Sequence, residues 1–253
     1  MADQRLVGDF IEERPKIFHQ GLFEESSVEK HRVGTLRKLS DGRVFAYALN
    51  AAVALAAGKL TQSPAPAANW KNIAVAAAAA IGDKRVSVTL GATALTANYL
   101  KDGFLHVNDA AGEGHLYKIR GHAAADASAA VWIDLYDAIR VALTTSSEVT
   151  LTCHPQANVI VLPTTATSAP AGIPPIAVTA SYYFWNQVKG PAAVLTDGTI
   201  VIGQHVRLSD AVAGAVEPLD RDGTAEDEAE VGTVLQVNAD TEYSLINLAV
   251  PGY

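Results

Sequence analysis

The chain has 253 residues, of which 49% are hydrophobic, 18% charged and 7% aromatic, and its formal net charge is −8. With 19 Lys and Arg against 27 Asp and Glu, it lacks the excess of cations by which nucleic-acid-binding proteins hold phosphates. Its single cysteine, Cys153, cannot form an intramolecular disulfide and is too few for a structural zinc site. We therefore expect no nucleic-acid partner and no structural disulfide.

Nothing in the sequence predicts a membrane protein or a secreted one. The first residues are polar and mixed in charge, without the basic and apolar regions of a secretory signal. There is no apolar run of about 18 residues, the length that a membrane-spanning helix needs. We expect a product that stays in the cytoplasm of the cell that makes it and has no membrane partner.

The charged fraction of 18% is lower than the roughly 25% of an ordinary globular domain. Two interpretations remain open. The chain is either a β-protein with small residues and neutral loops, or a subunit whose surface is covered by neighbours in an assembly.

Residues 1–33 differ in composition from the rest of the chain and are predicted to form an N-terminal arm. Two charged stretches bracket an apolar patch formed by Phe18, Leu22 and Phe23, and Pro15 and Gly21 limit the length of any helical turn there. These three apolar residues are candidate partner contacts. The alternative is an arm that folds onto its own domain.

From Val33 onward the sequence favours β-structure. Alternating or β-branched runs predict strands, and they include Val86–Leu90, Val131–Leu135, Val149–Leu151 and Asn158–Leu162. The dipeptides Asp41-Gly42, Asp102-Gly103 and Asp197-Gly198 each lie between apolar runs. Because Asp-Gly supplies the positive φ of tight turns, we predict three hairpins.

Helical signals are weak. The alanines of 76–80 have high helix propensity, but a strand of small residues packed closely on a sheet would have the same sequence. The stretch Ile133–Leu143 has only a partial polar face for a helix. The predicted fold class is therefore mainly β, with β-barrel or β-sandwich modules, an extended N-terminal arm and few short helices.

A stretch rich in Thr, Ser, Ala and Pro divides the remainder of the chain. Residues 163–175 end in Ile173-Pro174-Pro175, which favours an extended linker. This predicts a larger β-rich module over 34–162 and a smaller one over 176–253. In the smaller module, the acidic stretch 220–230 is typical of a solvated loop, and we predict that Val231–Val237 and Tyr243–Val250 form two closing strands.

No catalytic motif occurs in the sequence. The nucleophile elbow Gly-x-Ser-x-Gly, the zinc motif His-Glu-x-x-His and the P-loop are all absent. Gly112-Glu113-Gly114 lacks the third glycine of a dinucleotide loop and is more simply a tight turn. We predict a non-enzymatic protein with no catalytic residues and no cofactor.

The histidines have no paired spacing on a helix face, and we predict no metal site. His115 and His122 would form a weak metal site only if a hairpin brought them together. Cys153 and His154 are adjacent, so on a strand their side chains point to opposite faces and do not form a catalytic pair. We interpret Cys153 as a small core residue.

The densest aromatic cluster is Tyr182-Tyr183-Phe184-Trp185. On a strand, Tyr182 and Phe184 face one side while Tyr183 and Trp185 face the other. One pair could fill a core and the other contact a partner, so all four are candidate contact residues. A sugar-binding platform is a third possibility.

Several segments together resemble virion structural proteins of tailed bacteriophages, and among those most of all the head decoration, or cement, proteins. The segments that carry the resemblance are Asp41–Tyr47, Ala54–Leu60, Gly112–Ile119, Gly190–Gly198, Ile202-Gly203 and Val231–Leu235. They are turn and strand patterns and contain no catalytic residue.

The resemblance implies a β-rich subunit, often trimeric, that lies on the outer capsid surface and clamps neighbouring major capsid subunits. The major capsid protein is then the expected partner and the virion the expected location. Two other roles remain open: a tail or baseplate component, and a virion protein that binds a receptor or glycan. Compared with the smallest decoration proteins, this chain is longer, with an additional front module and an N-terminal arm.

Overall fold

Strands account for nearly all of the regular structure. A computed structural model describes residues 19–219 and 229–253, which form sixteen β-strands and one short 3-10 helix, Ala68–Trp70. The predicted mainly β fold is confirmed. Within these two ranges no helix has the length and hydropathy to cross a membrane.

In chain order the strands are β1 (Leu36–Lys38), β2 (Val44–Leu49), β3 (Thr61–Gln62), β4 (Ile73–Ala77), β5 (Arg85–Thr89), β6 (Phe104–Asp109), β7 (Leu116–His122), β8 (Ala130–Leu135), β9 (Glu148–Thr152), β10 (Ile160–Val161), β11 (Pro170–Gly172), β12 (Tyr183–Leu195), β13 (His205–Leu208), β14 (Val216–Pro218), β15 (Glu230–Gln236) and β16 (Tyr243–Ala249). They form a closed barrel, a seven-stranded sheet and a three-stranded sheet.

The barrel contains six antiparallel strands in the spatial order β4-β5-β8-β7-β6-β9. Alternation along each strand sends every second side chain into the interior, and Leu105, Ile119 and Ile133 are fully buried there. β6 and β7 are joined through Gly112 and Gly114, both of which have positive φ. The predicted tight turn at this place is confirmed.

The seven-stranded sheet has the order β1-β2-β12-β16-β15-β13-β14. β12 lies between β2 and β16, and both of its faces are covered near its start. Trp185 packs with Phe45 and Tyr47 of β2 on one face, and Phe184 packs beside Ala48 on the other. On the second face, the three-stranded sheet β10-β3-β11 covers the core farther along β12.

This topology corrects the predicted module boundaries. β1 and β2 belong to the predicted front module, 34–162, but they pair with β12 from the rear module, 176–253. The predicted linker, 163–175, contains β11, which pairs with β3. The barrel is therefore inserted into a sheet made by both ends of the chain. Pairing between strands so distant in sequence leaves no local signal, which is why composition did not reveal it.

One of the three predicted hairpins is confirmed. β1 and β2 pair on either side of Asp41-Gly42. The other two predictions are wrong, because Asp102-Gly103 leads into β6 from a loop and Asp197-Gly198 follows β12, whose neighbours are β2 and β16. At these positions Asp-Gly supplies positive φ to a loop rather than to a hairpin.

The helical alternatives are not adopted within the part of the chain that the structure describes. Ile73–Ala77 is strand β4, and Ile73 and Val75 alternate inward between exposed alanines. The stretch 133–143 contains the end of β8 and then turns. Here tertiary packing of alternating residues outweighs the helix propensity of alanine. The predicted closing strands are confirmed as β15 and β16.

Residues 19–33 pack onto the seven-stranded sheet, so this part of the predicted arm folds onto its own domain. Gln20 is 2% exposed and its side chain accepts a hydrogen bond of 2.6 Å from the Tyr47 hydroxyl. Its amide group donates to the backbone carbonyls of Glu24 and Tyr183. Ser26 and Tyr183 also form a backbone bridge. Phe18 and the rest of the predicted arm lie outside the described residues.

The acidic stretch 220–230 also falls mostly outside the described residues. Of its members, Glu230 begins β15, and its carboxylate lies 2.5 Å from Nδ1 of His205 on the neighbouring strand β13. Glu230, the last residue of the predicted acidic loop, therefore belongs to strand β15.

We predict that Gln20→Ala lowers the free energy of unfolding by about 2–3 kcal/mol, because buried hydrogen-bonding groups of Tyr47 and Tyr183 lose a partner. Urea denaturation followed by tryptophan fluorescence measures this change. Lys38→Ala, at an exposed position of β1, is the control and should change stability by less than about 0.5 kcal/mol. Equal effects of the two substitutions would contradict the anchoring role of Gln20.

We predict a second effect at His154, where burial and the nearby Lys118 lower the pKa to about 4. The unfolded chain takes up this proton near pH 6.5, so the folded state loses stability as pH falls from about 6.5 to 4, by up to about 3 kcal/mol. Because Nδ1 accepts a bond from the Gln156 amide, His154→Asn can keep the turn without titrating.

Unfolding free energies of the native chain and of His154→Asn, measured from pH 8 to pH 4, provide the test. The variant should lose less stability than the native chain below pH 6.5. Curves that run parallel over this range would show that His154 does not contribute to the acid sensitivity.

Candidate partner-binding face

Strand β16 exposes apolar side chains at every second position of its first half. Tyr243 and Leu245 are 42% and 39% exposed, whereas Ser244 and Ile246 between and after them are buried. Because side chains alternate across a sheet, the exposed residues lie on one face, opposite the core. Apolar side chains at these positions are therefore not required by the chain's own core.

The neighbouring strands extend this uncharged surface. Ala193 on β12 lies opposite Leu245 and Pro191 lies opposite Asn247, while Leu235 on β15 is 43% exposed. The only charged residues in the sequences of β12, β15 and β16 are Lys189 and Glu230. We call this surface the outer face; its members are Pro191, Ala193, Leu235, Tyr243, Leu245 and Asn247.

A groove of about 580 Å³ runs along the edge of the outer face. Its lining includes Ala193, Tyr243 and Leu245 of the outer face and Phe23, which is 62% exposed. The loop Ala56–Gly58 and the dipeptide Pro174-Pro175 also line the groove, as does Arg43. The groove thus joins the predicted contact residue Phe23 to the outer face.

Gly58 allows Tyr243 to lie close against this loop. Its φ is +73°, and a Cβ atom at this position would lie 2.5 Å from Cε1 of Tyr243. The amide of Gly58 donates to the carbonyl of Pro174, and its carbonyl accepts from the amide of Leu195. These bonds fix the loop against β12, so the shape of the groove is set by backbone contacts.

The charged residue of the groove already has a partner. The backbone N–H of Arg43 donates to Asp41 at 3.0 Å, and its Nε donates at 2.8 Å. The backbone hydrogen bond first, and then the side-chain one, lower the pKa of the Asp41 carboxyl. The guanidinium of Arg43 also lies 5.7 Å from the ring centre of Phe45. Arg43 and Asp41 therefore neutralise each other at the end of the groove.

The structure places the predicted contact residues in different environments. Phe23 is exposed in the groove, and Leu22 packs partly under the sheet beside Trp185. Tyr182 and Tyr183 are half-buried, on opposite faces of the sheet. Phe18 lies outside the described residues.

For Phe184 and Trp185 the contact prediction is wrong. Both side chains are 0% exposed, on opposite faces of β12. The prediction assigned one face of this strand to a partner, but residues 20–33 and the Phe45–Tyr47 segment of β2 cover the face that Trp185 occupies. A fully buried ring cannot contact another protein without opening the core.

Neither the histidine pair nor the cysteine forms a reactive centre. His115 precedes β7 and His122 ends it, so the two lie about 23 Å apart along one strand rather than across a hairpin. Burial raises the pKa of the Cys153 thiol to about 11. Among residues 19–219 and 229–253, no group of three or more His, Cys, Asp or Glu is placed to hold a metal ion.

Sequence reasoning missed Tyr243 and Leu245 as contact candidates. It identified their strand, Tyr243–Ala249, but apolar residues occur on both faces of this strand. The pattern therefore did not show which face is exposed. An apolar residue on each face of a strand is the available signal, because a sheet with one solvated face normally carries polar residues there.

No protein-family model, curated protein or solved structure matches the chain.

We predict that Gly58→Ala destabilises the protein more than Gly82→Ala does. Both positions have positive φ, which costs an L-residue about 1 kcal/mol. At Gly82 the added methyl group meets open space, whereas at Gly58 it meets the Tyr243 ring. The difference in unfolding free energy, measured by urea denaturation, should be about 1–2 kcal/mol. Equal losses would show that Tyr243 moves away at little cost.

Proposed function

We propose that the protein is a head decoration protein of a tailed bacteriophage, which binds the outer surface of the capsid and stabilises contacts between major capsid subunits. The observation that carries this proposal is the outer face with its groove. It presents Phe23, Leu235, Tyr243 and Leu245 to solvent in a chain whose sequence motifs resemble decoration proteins.

Physical reasoning supports a protein partner for this face. Exposed apolar patches flanked by polar residues are typical of protein interfaces, and aromatic residues are enriched in them while Lys, Glu and Asp are depleted. The outer face has this composition, because its three strands carry charge only at Lys189 and Glu230. Burying it therefore requires little desolvation of charge.

Symmetry explains how a face of modest size can stabilise a capsid. A head repeats the same contact at many equivalent sites, so a small apolar area at each one adds to a large total. In this proposal the protein is found on the outer surface of the virion, and a homotrimer placed over neighbouring capsid subunits fits the same symmetry.

We predict that Leu245→Lys lowers the occupancy of the protein on heads that lack it by about tenfold, because binding would then bury an unpaired charge. Purified protein is mixed with mature, DNA-filled particles and imaged by electron cryomicroscopy. The native chain should add symmetric density that bridges capsid subunits. Leu116→Lys is the matched control, since Leu116 is 62% exposed at the start of β7 in the barrel.

Other results would contradict the proposal in identifiable ways. Bare heads with density on the tail would assign the protein to the tail or baseplate. Unchanged binding by Leu245→Lys would remove the outer face from the contact. A lower oligomeric mass of Leu245→Lys in analytical ultracentrifugation would make the outer face an interface between copies of this chain.

A further inference from the structure

A cleft lies between the barrel and the seven-stranded sheet. It consists of two adjoining cavities of about 400 and 590 Å³, which share Leu49, Tyr99, Asn158 and Tyr183 as lining residues. Each cavity has the size of a small-molecule site. The barrel contributes the loop from Thr96 to Asp102, so the two parts of the fold build the cleft together.

Unusual backbone conformations are concentrated around this cleft. Eight of the described residues other than glycine have positive φ, and four of them line it: Asn98, Asp102, Asn158 and Ser181. Such conformations cost free energy and cluster at ligand-binding sites, where the surrounding structure holds them in place. Asn158 is held by the bridge between its neighbour Val159 and Asn50.

Several polar groups that line the cleft have no hydrogen-bond partner within residues 19–219 and 229–253, and one of them, the side-chain oxygen of Asn50, is buried. Two of those that border both cavities are the hydroxyl of Tyr183, whose pKa is raised by burial and by the nearby Glu29, and the side-chain amide of Asn158. The hydroxyl is therefore neutral and able to donate, while the amide offers two donors and an acceptor. Both residues border both cavities, so a single ligand could satisfy them.

The charged residues of the cleft are already paired. Lys101 donates to Glu29 at 2.6 Å. Asp102 is 1% exposed, accepts a bond of 3.1 Å from the Tyr136 hydroxyl and lies 3.7 Å from Nζ of Lys118. With its lysine occupied, the cleft has no excess positive charge with which to hold a phosphate or carboxylate. Because the charges of the cleft are already paired, a neutral ligand fits it best.

Two aromatic rings border the cleft as flat apolar surfaces. Tyr183 stacks on Tyr47 with ring centres 5.8 Å apart and planes at 9°, and Tyr99 packs edge-on against Trp70. Both rings are fixed by these contacts yet remain partly exposed. A ring beside neutral amides and hydroxyls matches a molecule that has an apolar C–H face and a rim of hydroxyl groups.

We propose that this cleft binds a neutral carbohydrate, with Tyr99 and Tyr183 stacking on a sugar ring and the Tyr183 hydroxyl and the Asn158 amide hydrogen-bonding its hydroxyl groups. The inference rests on the cleft alone and is independent of the outer face and of the particle on which the protein lies. A decoration protein with this cleft would carry a second, small-molecule binding function.

The test uses the full chain and four neutral disaccharides: maltose, lactose, cellobiose and N,N′-diacetylchitobiose. Saturation-transfer NMR at roughly 10 mM sugar detects binding with millimolar dissociation constants. At least one disaccharide should give a signal. Tyr183→Phe removes only the hydroxyl, and Asn158→Gly removes the amide while suiting the φ of 55°. Each should weaken binding about tenfold.

Tyr182→Phe is the matched control, because Tyr182 precedes Tyr183 and packs on the opposite side, against the cluster that contains Phe184. It should leave the sugar affinity within about twofold. Thermal melts establish that every variant is folded. The proposal is overturned if none of the four disaccharides binds, if both cleft variants bind as well as the control, or if glucose 6-phosphate binds more tightly than every neutral sugar.

Discussion

Strand β12 must have partners along both edges and on both faces near its start, and the rest of the fold is arranged around this requirement. β2 pairs along one edge and β16 along the other. The rings of Phe184 and Trp185 need apolar cover on opposite sides, and residues 20–33, the Phe45–Tyr47 segment and the Val159–Val178 region supply it. An aromatic ring left exposed at either position would cost several kcal/mol of burial free energy. Residues 20–33 therefore contribute to the core.

The two candidate surfaces lie at different places on the same strand. Near its start, Tyr183 borders the cleft, and farther along Pro191 and Ala193 join the outer face. Between them, buried Gln187 donates to three backbone carbonyls, those of Lys189, Gly190 and Pro191, where the strand register shifts. This irregularity separates a region where β12 is covered on both faces from one where a single face is covered. A sugar in the cleft and a protein on the outer face would thus not compete for the same residues.

The sequence predicted the elements of this fold better than their assembly. Alternation and β-branching located most strands, because each signal lies within a few residues, as in Val131–Leu135 and Tyr243–Val250. The domain division was wrong because the pairing of Leu49 with Tyr183 leaves no trace in local composition.

For the contact residues, too, the sequence was informative only where the signal is local. Phe23 was predicted as a contact residue and its side chain is exposed, whereas Trp185 was misassigned because the residues that cover it come from a distant segment. The cleft could not be foreseen, since its residues come from segments that are brought together only by the finished topology.

The insertion of the barrel into the sheet has a consequence for the order in which the chain folds during synthesis. All six barrel strands leave the ribosome before β12 does. The barrel can therefore close before β12, the pairing partner of β2, has been synthesised. The closed barrel then favours the pairing of β2 with β12. Its first strand, β4, pairs with its last, β9, so the chain enters and leaves the barrel at neighbouring positions. Closing it shortens the free chain between Leu49 and Tyr183 from roughly 130 residues to roughly 55, which lowers the entropic cost of joining them by about 0.8 kcal/mol. Closure of the inserted barrel thus favours the pairing of β2 with β12, the two strands between which it is inserted.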